Sequence, residues 1–262
     1  VCMSIKYYYK NEDFKLINGD SLKILKGIEP KSIDMIFADP PYFLSDDGIS
    51  CSGGKMVSVN KGEWDKSISV EEKHKFNRKW IRLCYQVLKD NGTIWISGTM
   101  HNIYSIGMAL EQEGFKIINN ITWKKLNPPP NISCRYFVHS TETILWAKKD
   151  IKNAKHKFNY SLMRELNSGK QMQDVWESSL TKPSEKKCGK HPTQKPMEIL
   201  EKIILSSTDE GDLILDPFNG SGTTGIVANK LNRKYIGIDL EKKYLDITIK
   251  RLIKLKEEMY ER

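Results

Sequence analysis

Leu213-Ile214-Leu215-Asp216-Pro217-Phe218-Asn219-Gly220-Ser221-Gly222-Thr223-Thr224-Gly225 is the stretch that decides the fold. Three aliphatic residues form a short buried strand, an acid and a proline end it, and Gly220, Gly222 and Gly225 follow at G-x-G-x-x-G spacing. A helical stretch then runs from Thr223 to Leu231, and the next strand, Tyr235 to Asp239, completes a βαβ unit. The glycines let the backbone turn tightly and approach a ligand at the helix start, so a side chain at Gly222 is expected to intrude on the ligand. Asp239 stands 17 residues beyond Gly222, about where an acid takes a nucleotide ribose hydroxyl. No Gly-Lys-Ser/Thr follows, which excludes a phosphate-binding P-loop.

Asp216 narrows the ligand. A carboxylate at the strand end repels a pyrophosphate and attracts a cation. S-adenosylmethionine carries a sulfonium, an ammonium and a ribose but no phosphate. Its amino-acid part suits Asp216 and its ribose suits Asp239.

Outward from this unit the chain alternates strands and helices. Phe14 to Asn18 reads as a strand, and Asp20 to Ile28 as a short helix capped by Asp20 or Ser21. The run Ile33 to Ala38, apolar but for Asp34, suits a buried parallel strand. Asp39 to Lys66 lacks periodicity and reads as a long loop, mobile by composition over 43–66. Val70 to Leu88 is helical, with Asp90-Asn91-Gly92 expected to stop it before a strand at Thr93 to Ser97. A helix at His101 to Glu113 and strands at Phe115 to Lys124 and Thr143 to Lys148 follow. Lys149 to Lys190 shows little strand or helix signal. A helix from Pro196 to Ser207 precedes the glycine turn, and a charged terminal helix covers the sheet with Tyr244, Ile247, Leu252 and Leu255. This alternation predicts an α/β fold with a doubly wound, mostly parallel sheet, whose ligands bind beyond the carboxyl ends of the strands.

The second strand end that carries chemistry is Asp39-Pro40-Pro41-Tyr42, directly after Ile33 to Ala38. Successive prolines fix a rigid extended turn without N–H groups, holding carbonyls outward beside a carboxylate and a ring. An exocyclic amine on a planar base is a poor nucleophile, because its lone pair is delocalised into the ring. Hydrogen bonds from its N–H groups to Asp39 and the Pro40 carbonyl favour a pyramidal nitrogen whose lone pair points at an electrophilic methyl. Tyr42 can stack on the base.

Asp-Pro-Pro-Tyr at 39–42, Asp-Pro-Phe-x-Gly-Ser-Gly-Thr-Thr at 216–224 and His191-Pro192-Thr193-Gln194-Lys195-Pro196 together resemble the amino-methyltransferases of DNA. The order, target-amine motif before cofactor motif, is similar to the β group of that family, over roughly residues 14 to 255. Tyr42-Phe43-Leu44-Ser45 and Lys61-Gly62-Glu63-Trp64-Asp65 resemble one subgroup, the DpnA-like second adenine methyltransferases of DpnII-type restriction systems. The resemblance implies a Rossmann-like methyltransferase domain across 1–262, using S-adenosylmethionine on adenine N6 in GATC, in double- and single-stranded DNA. It implies catalytic roles for Asp39, Pro40, Pro41 and Tyr42. It places Asp20, Asp39, Thr193, Lys195, Asp216, Phe218, Asn219, Gly220, Ser221, Gly222, Thr223 and Asp239 around the cofactor.

Composition agrees with a DNA partner. Of 262 residues, 42 are Lys or Arg and 33 Asp or Glu, a net charge of +9. The segment 148–195 holds 12 basic and 5 acidic residues, and so +7 of that excess. A polyanion is its natural partner. Target recognition is expected in an inserted stretch, 148–190, and the DNA contacts at Arg135, Lys182, Lys186 and Lys187. Five scattered cysteines without a Cys-x-x-Cys pair and five histidines without His-x-x-x-His point to reduced thiols, no metal and a cytoplasmic protein. No apolar run approaches the roughly 20 residues of a membrane span. Val1-Cys2 ahead of Met3 suggests that the first two residues are not native. A homodimer is compatible with these features and undetermined by them.

Three other readings remain. Cytosine N4 is also an exocyclic amine, though the family tends to place Ser first in that tetrapeptide for cytosine. A dehydrogenase would use Gly220, Gly222, Gly225 and Asp239 but leaves the Asp39 turn without a task. A non-catalytic DNA-binding protein on the same fold would be expected to lose Asp39 or the glycines.

Overall fold

The structure, a computed structural model, describes residues 5–43, 49–52, 55–58, 69–189 and 194–260. Strands β1 (Tyr9–Lys10), β2 (Phe14–Asn18) and β3 (Ile33–Ala38) come first, followed by β4 (Ile49–Ser52) and β5 (Lys55–Ser58). Then come β6 (Leu88–Gly98), β7 (Phe115–Lys125), β8 (Thr141–Lys149), β9 (Val175–Ser178), β10 (Leu213–Asp216) and β11 (Lys234–Asp239). Nine of them form one sheet in the order β1-β2-β11-β10-β3-β6-β8-β7-β9, and β4 pairs only with β5. Neighbours from β2 to β6 are all parallel. β8 runs antiparallel to both β6 and β7, and β1 antiparallel to β2.

Helices cover both faces. On one side lie α1 (Ser21–Ile24), α2 (Val70–Val87) and α3 (Ile103–Gln112), burying Leu25, Trp80, Ile81, Cys84, Ile106 and Leu110. On the other, α5 (Met197–Ser207), α6 (Thr223–Lys230) and α7 (Lys242–Tyr260) bury Ile199, Ile203, Val227, Leu245 and Leu252, and α4 (Tyr160–Leu166) adds Met163. The run Ile33 to Ala38 is apolar but for Asp34 because it serves both layers: Ile36 and Ala38 face the first, Met35 and Phe37 the second. Among the described residues no helix is long and apolar enough to cross a membrane.

Three local expectations are corrected. Asp90-Asn91-Gly92 does not terminate the helix, since α2 ends at Val87 and β6 starts at Leu88. Those three residues fall between the pairs Ile33↔Leu88 and Met35↔Thr93, in an irregularity of the β3–β6 ladder, so turn-forming residues here make a bulge. The stretch read as a loop from Asp39 to Lys66 contains the β4–β5 hairpin, while 44–48, 53–54 and 59–68 lie outside the described residues. Lys149 to Lys190 is more regular than its composition suggests. It contributes α4 and also β9, which joins the main sheet in parallel with β7 and buries Trp176. β9 alternates one exposed and one buried residue, and four residues are too few for that signal to rise above the surrounding lysines.

Candidate active site

β10 leads through α6 to β11 on one side, whereas β3 leads through α2 to β6 on the other, so the winding reverses between β10 and β3. Such a reversal opens a crevice at the carboxyl ends of the strands. Each strand there delivers an acid: Asp20 after β2, Asp239 ending β11, Asp216 ending β10 and Asp39 after β3. A cavity of about 230 Å³ lies among them, walled also by Pro40, Pro41, Tyr42, Lys195, Phe218, Asn219, Gly220, Ser221 and Thr223. Residues as distant in the chain as Asp20 and Asp239 thus meet in one pocket.

The glycine turn is braced from behind. Asp216 is buried, accepting from the Phe218 N–H at 3.0 Å and the Thr224 hydroxyl at 2.7 Å. Burial outweighs those donors and pushes its carboxyl up to about 7. Asp239 accepts from the N–H groups of Gly220 at 2.7 Å and Glu241 at 2.8 Å, and burial raises its carboxyl to about 6. Asp20 caps α1, accepting from the Leu22 N–H at 2.9 Å. The Asn219 side chain donates to the Gly220 carbonyl at 2.7 Å and to Thr248 Oγ1 at 2.9 Å, and accepts from the Tyr235 hydroxyl at 2.8 Å. Gly222 adopts φ +74° as the cap of α6, and a Cβ there would overlap the Thr248 side chain of α7. The glycine is therefore needed for the approach of α7, and it lies behind the cavity wall, unlike Gly220 and Ser221.

At the other end of the cavity Asp39 is embedded in a cluster. Its Oδ1 accepts from the Tyr42 hydroxyl at 2.7 Å and its Oδ2 pairs with Lys195 Nζ at 2.7 Å. Lys195 also donates to the Tyr42 oxygen at 3.0 Å and lies 3.4 Å from Glu142 Oε2. Glu142 Oε1 in turn pairs with Lys125 at 2.7 Å. Burial pushes the Asp39 carboxyl above its ordinary range despite Lys195. Phe43, Phe76 and Phe218 line the wall nearby, with Phe76 edge-on to Phe43 at 5.4 Å between ring centres.

The expected DNA-contacting residues sit outside the cavity. Arg135 is exposed on the segment between β7 and β8, whose flanking residues Lys125 and Glu142 belong to the Asp39 cluster. Lys182 and Lys187 are exposed at the two ends of a 3-10 turn, Pro183–Lys186. Glu185 of that turn accepts from the Met197 N–H at 3.0 Å and, through its carbonyl, from Gln194 Nε2 at 3.0 Å. These bonds anchor the turn beside Lys195. Thr193 lies outside the described residues.

Sequence reasoning missed Glu142, Lys125 and Arg251. Arg251 of α7 is buried and donates from Nη1 to the Ser221 carbonyl at 2.8 Å, Ser221 Oγ at 3.2 Å and Thr223 Oγ1 at 2.9 Å. In a helix rich in lysine and glutamate nothing local distinguishes it. Glu142 likewise is one acid between two threonines. Their significance arises from partners distant in the chain.

A family model described as DNA methylase matches residues 33–250. The type II methyltransferase M2.DpnII of Streptococcus pneumoniae is 68% identical over 252 residues, covering 96% of this chain and 94% of that protein. Among solved structures, the M1.HpyAVI–SAM complex is 30% identical with a TM-score of 0.68, over 91% of this chain and 98% of that one. The cytosine-N4-specific PvuII DNA methyltransferase shares the fold at a TM-score of 0.76 and 20% identity, over 97% and 93% of the two chains.

Proposed function

The chain belongs to the DNA methylase family, and from that premise we propose that this S-adenosylmethionine-dependent DNA methyltransferase modifies adenine N6, in GATC, on duplex and single-stranded DNA. The observation that carries the reading is the convergence of Asp39-Pro40-Pro41-Tyr42 with the Asp216–Thr223 turn on one cavity. The fold is common to a cytosine-N4 enzyme and so does not choose the base. Asp39 as first residue of the tetrapeptide, together with the resemblance to DpnA-like enzymes, favours adenine.

The pocket suits the cofactor. Its four lining aspartates favour a cationic ligand without phosphate, and the Phe76–Phe218 wall suits a flat ring. When bound, S-adenosylmethionine supplies a methyl group activated by a sulfonium. Asp216 would face its charged amino-acid part, Gly220 to Thr223 would let it approach the backbone, and Asp239 or Asp20 would serve its nucleoside. Thr193 and Lys195 would lie at its rim. Asp39 and the Pro40 carbonyl would accept hydrogen bonds from the target amine, orienting its lone pair, and Tyr42 would stack on the flipped base. The target nitrogen would gain the bond to the methyl carbon as the carbon–sulfur bond of the sulfonium breaks and leaves a neutral thioether. It would shed one proton, for which Asp39 is an acceptor. The whole chain would act as one domain, with the 148–190 segment, Arg135 and Lys182 to Lys187 meeting the phosphates.

Asp39→Ala should abolish methyl transfer to a GATC oligonucleotide while DNA binding changes by less than about threefold, because only the amine's acceptor is lost. Mapping N6-methyladenine and N4-methylcytosine on a plasmid after expression decides the base. Methylation on cytosine overturns the adenine assignment.

A further inference from the structure

The cluster at the mouth of the cavity raises a question of occupancy. Both oxygens of Asp39 already accept, one from Tyr42 and one from Lys195. Each oxygen can accept a second bond, but an ammonium held at 2.7 Å neutralises Asp39 and competes with an arriving amine for its charge. Tyr42 is held near Asp39 by three residues of proline-stiffened chain, whereas Lys195 reaches in from another segment on a flexible stem. A displaced ammonium cannot be left in a buried site without a partner. Glu142 provides one, because its Oε2 is buried, accepts no hydrogen bond and lies 3.4 Å from Lys195 Nζ, while Lys125 holds Oε1.

We infer that Glu142 is a positioning residue that draws the Lys195 ammonium off Asp39 when the target amine arrives. The inference rests on the reading of Asp39 as the amine's acceptor. Two carboxylates and two ammonium groups make the cluster neutral, so the shift of Lys195 leaves the buried charge unchanged. It also leaves Asp39 unpaired as positive charge develops on the methylated nitrogen, where a carboxylate still neutralised by lysine would give little stabilisation. Burial opposes the charge on Glu142, yet Lys195 and Lys125 together hold its carboxyl below the ordinary range, whereas that of Asp39 stays above it. Glu142 therefore keeps its charge and can hold the ammonium once it moves.

The test is Glu142→Gln, assayed on a GATC duplex at saturating DNA. The expected result is a fall in kcat of at least about tenfold, with the KM for S-adenosylmethionine within about twofold. In a Lys195→Met background the same substitution should be nearly neutral, since no lysine remains to move. Unchanged kcat in the single variant, the same loss in both backgrounds, or no turnover at all by Lys195→Met would each overturn the inference. Should Glu142→Gln fold poorly, Glu142→Asp keeps the charge but draws it back from Lys195 and should lower kcat in the same direction; an unchanged kcat in that variant overturns the inference. Asp39→Ala separates the two levels. If that variant turns over, the underlying reading fails; if it is inactive while Glu142→Gln is unaffected, only the lysine exchange fails.

Discussion

Asp216 shows how one buried group can tie the pocket to pH. Burial raises its carboxyl to about 7, so the folded chain holds a proton there that the unfolded chain has already released. Across the window from about pH 4 to about 7 the folded state binds more protons, and this group's contribution to stability falls as pH rises. A cationic ligand needs the ionised form. Affinity for S-adenosylmethionine should therefore rise about five- to tenfold between about pH 6 and pH 7.5, with a proton released on binding. Calorimetry in buffers of different ionisation enthalpy measures both, and a flat profile would separate Asp216 from the ligand's charge. Gly222 supplies a second test at this scale. Gly222→Ala forces a left-handed conformation on a side chain and pushes it into Thr248, for a loss of about 1–3 kcal/mol in urea unfolding. A change confined to the cofactor's KM, with unfolding unaltered, would contradict this packing role.

Among the elements, α7 does more than cover the sheet. The apolar positions Tyr244 and Leu252 are buried as their spacing indicates, and Arg251 beside them clamps the glycine turn through three acceptors. Arg251→Leu leaves the Ser221 carbonyl and two hydroxyls without their charged donor, a cost of about 1.5–3 kcal/mol for a bond to a charged group. The turn should loosen, raising the KM for S-adenosylmethionine by about tenfold or more. Steady-state kinetics check this, and an unchanged KM would make Arg251 a support for α7 alone. The strands and helices flanking the two motifs were legible because apolar runs, glycines and caps are local signals. β9, β4 and β5 were not. β9 is short and lysine-flanked, and it becomes a strand because the edge of β7 offers unpaired hydrogen-bonding groups.

For the molecule as a whole, the unequal distribution of charge is the feature that bears on DNA. The +7 segment wraps from the far edge of the sheet to the turn at Pro183–Lys186, which is tied to Gln194 and Met197 next to the cavity. Each phosphate neutralised contributes about 0.9 to the slope of log K against log salt on duplex and about 0.7 on a single strand. Removing the charges of Lys182, Lys186 and Lys187 should flatten that slope by up to about 2.7 units on duplex and about 2.1 on a single strand. The preferred sequence should not change, since phosphate contacts carry no sequence information. Methylation of a GATC oligonucleotide with and without its complement, across a salt series, provides the measurement. Activity confined to duplex, or an unaltered slope, would place the DNA on another surface.

The amino-acid sequence by itself determined the βαβ alternation, the doubly wound sheet, the two chemical strand ends and the basic segment. Each of these is written in neighbouring residues: periodicity for the elements, proline and glycine for the turns, composition for the charge. Tertiary structure alone decided what those residues meet. It paired Asp39 with Lys195, placed Glu142 and Lys125 behind them, turned Arg251 onto the glycine turn and set Gly222 against Thr248. The physical reason is that a buried charge is defined by its partner. A lysine 156 residues away in the chain is invisible to local pattern, and yet it sets the electrostatics of the Asp39 carboxylate from 2.7 Å.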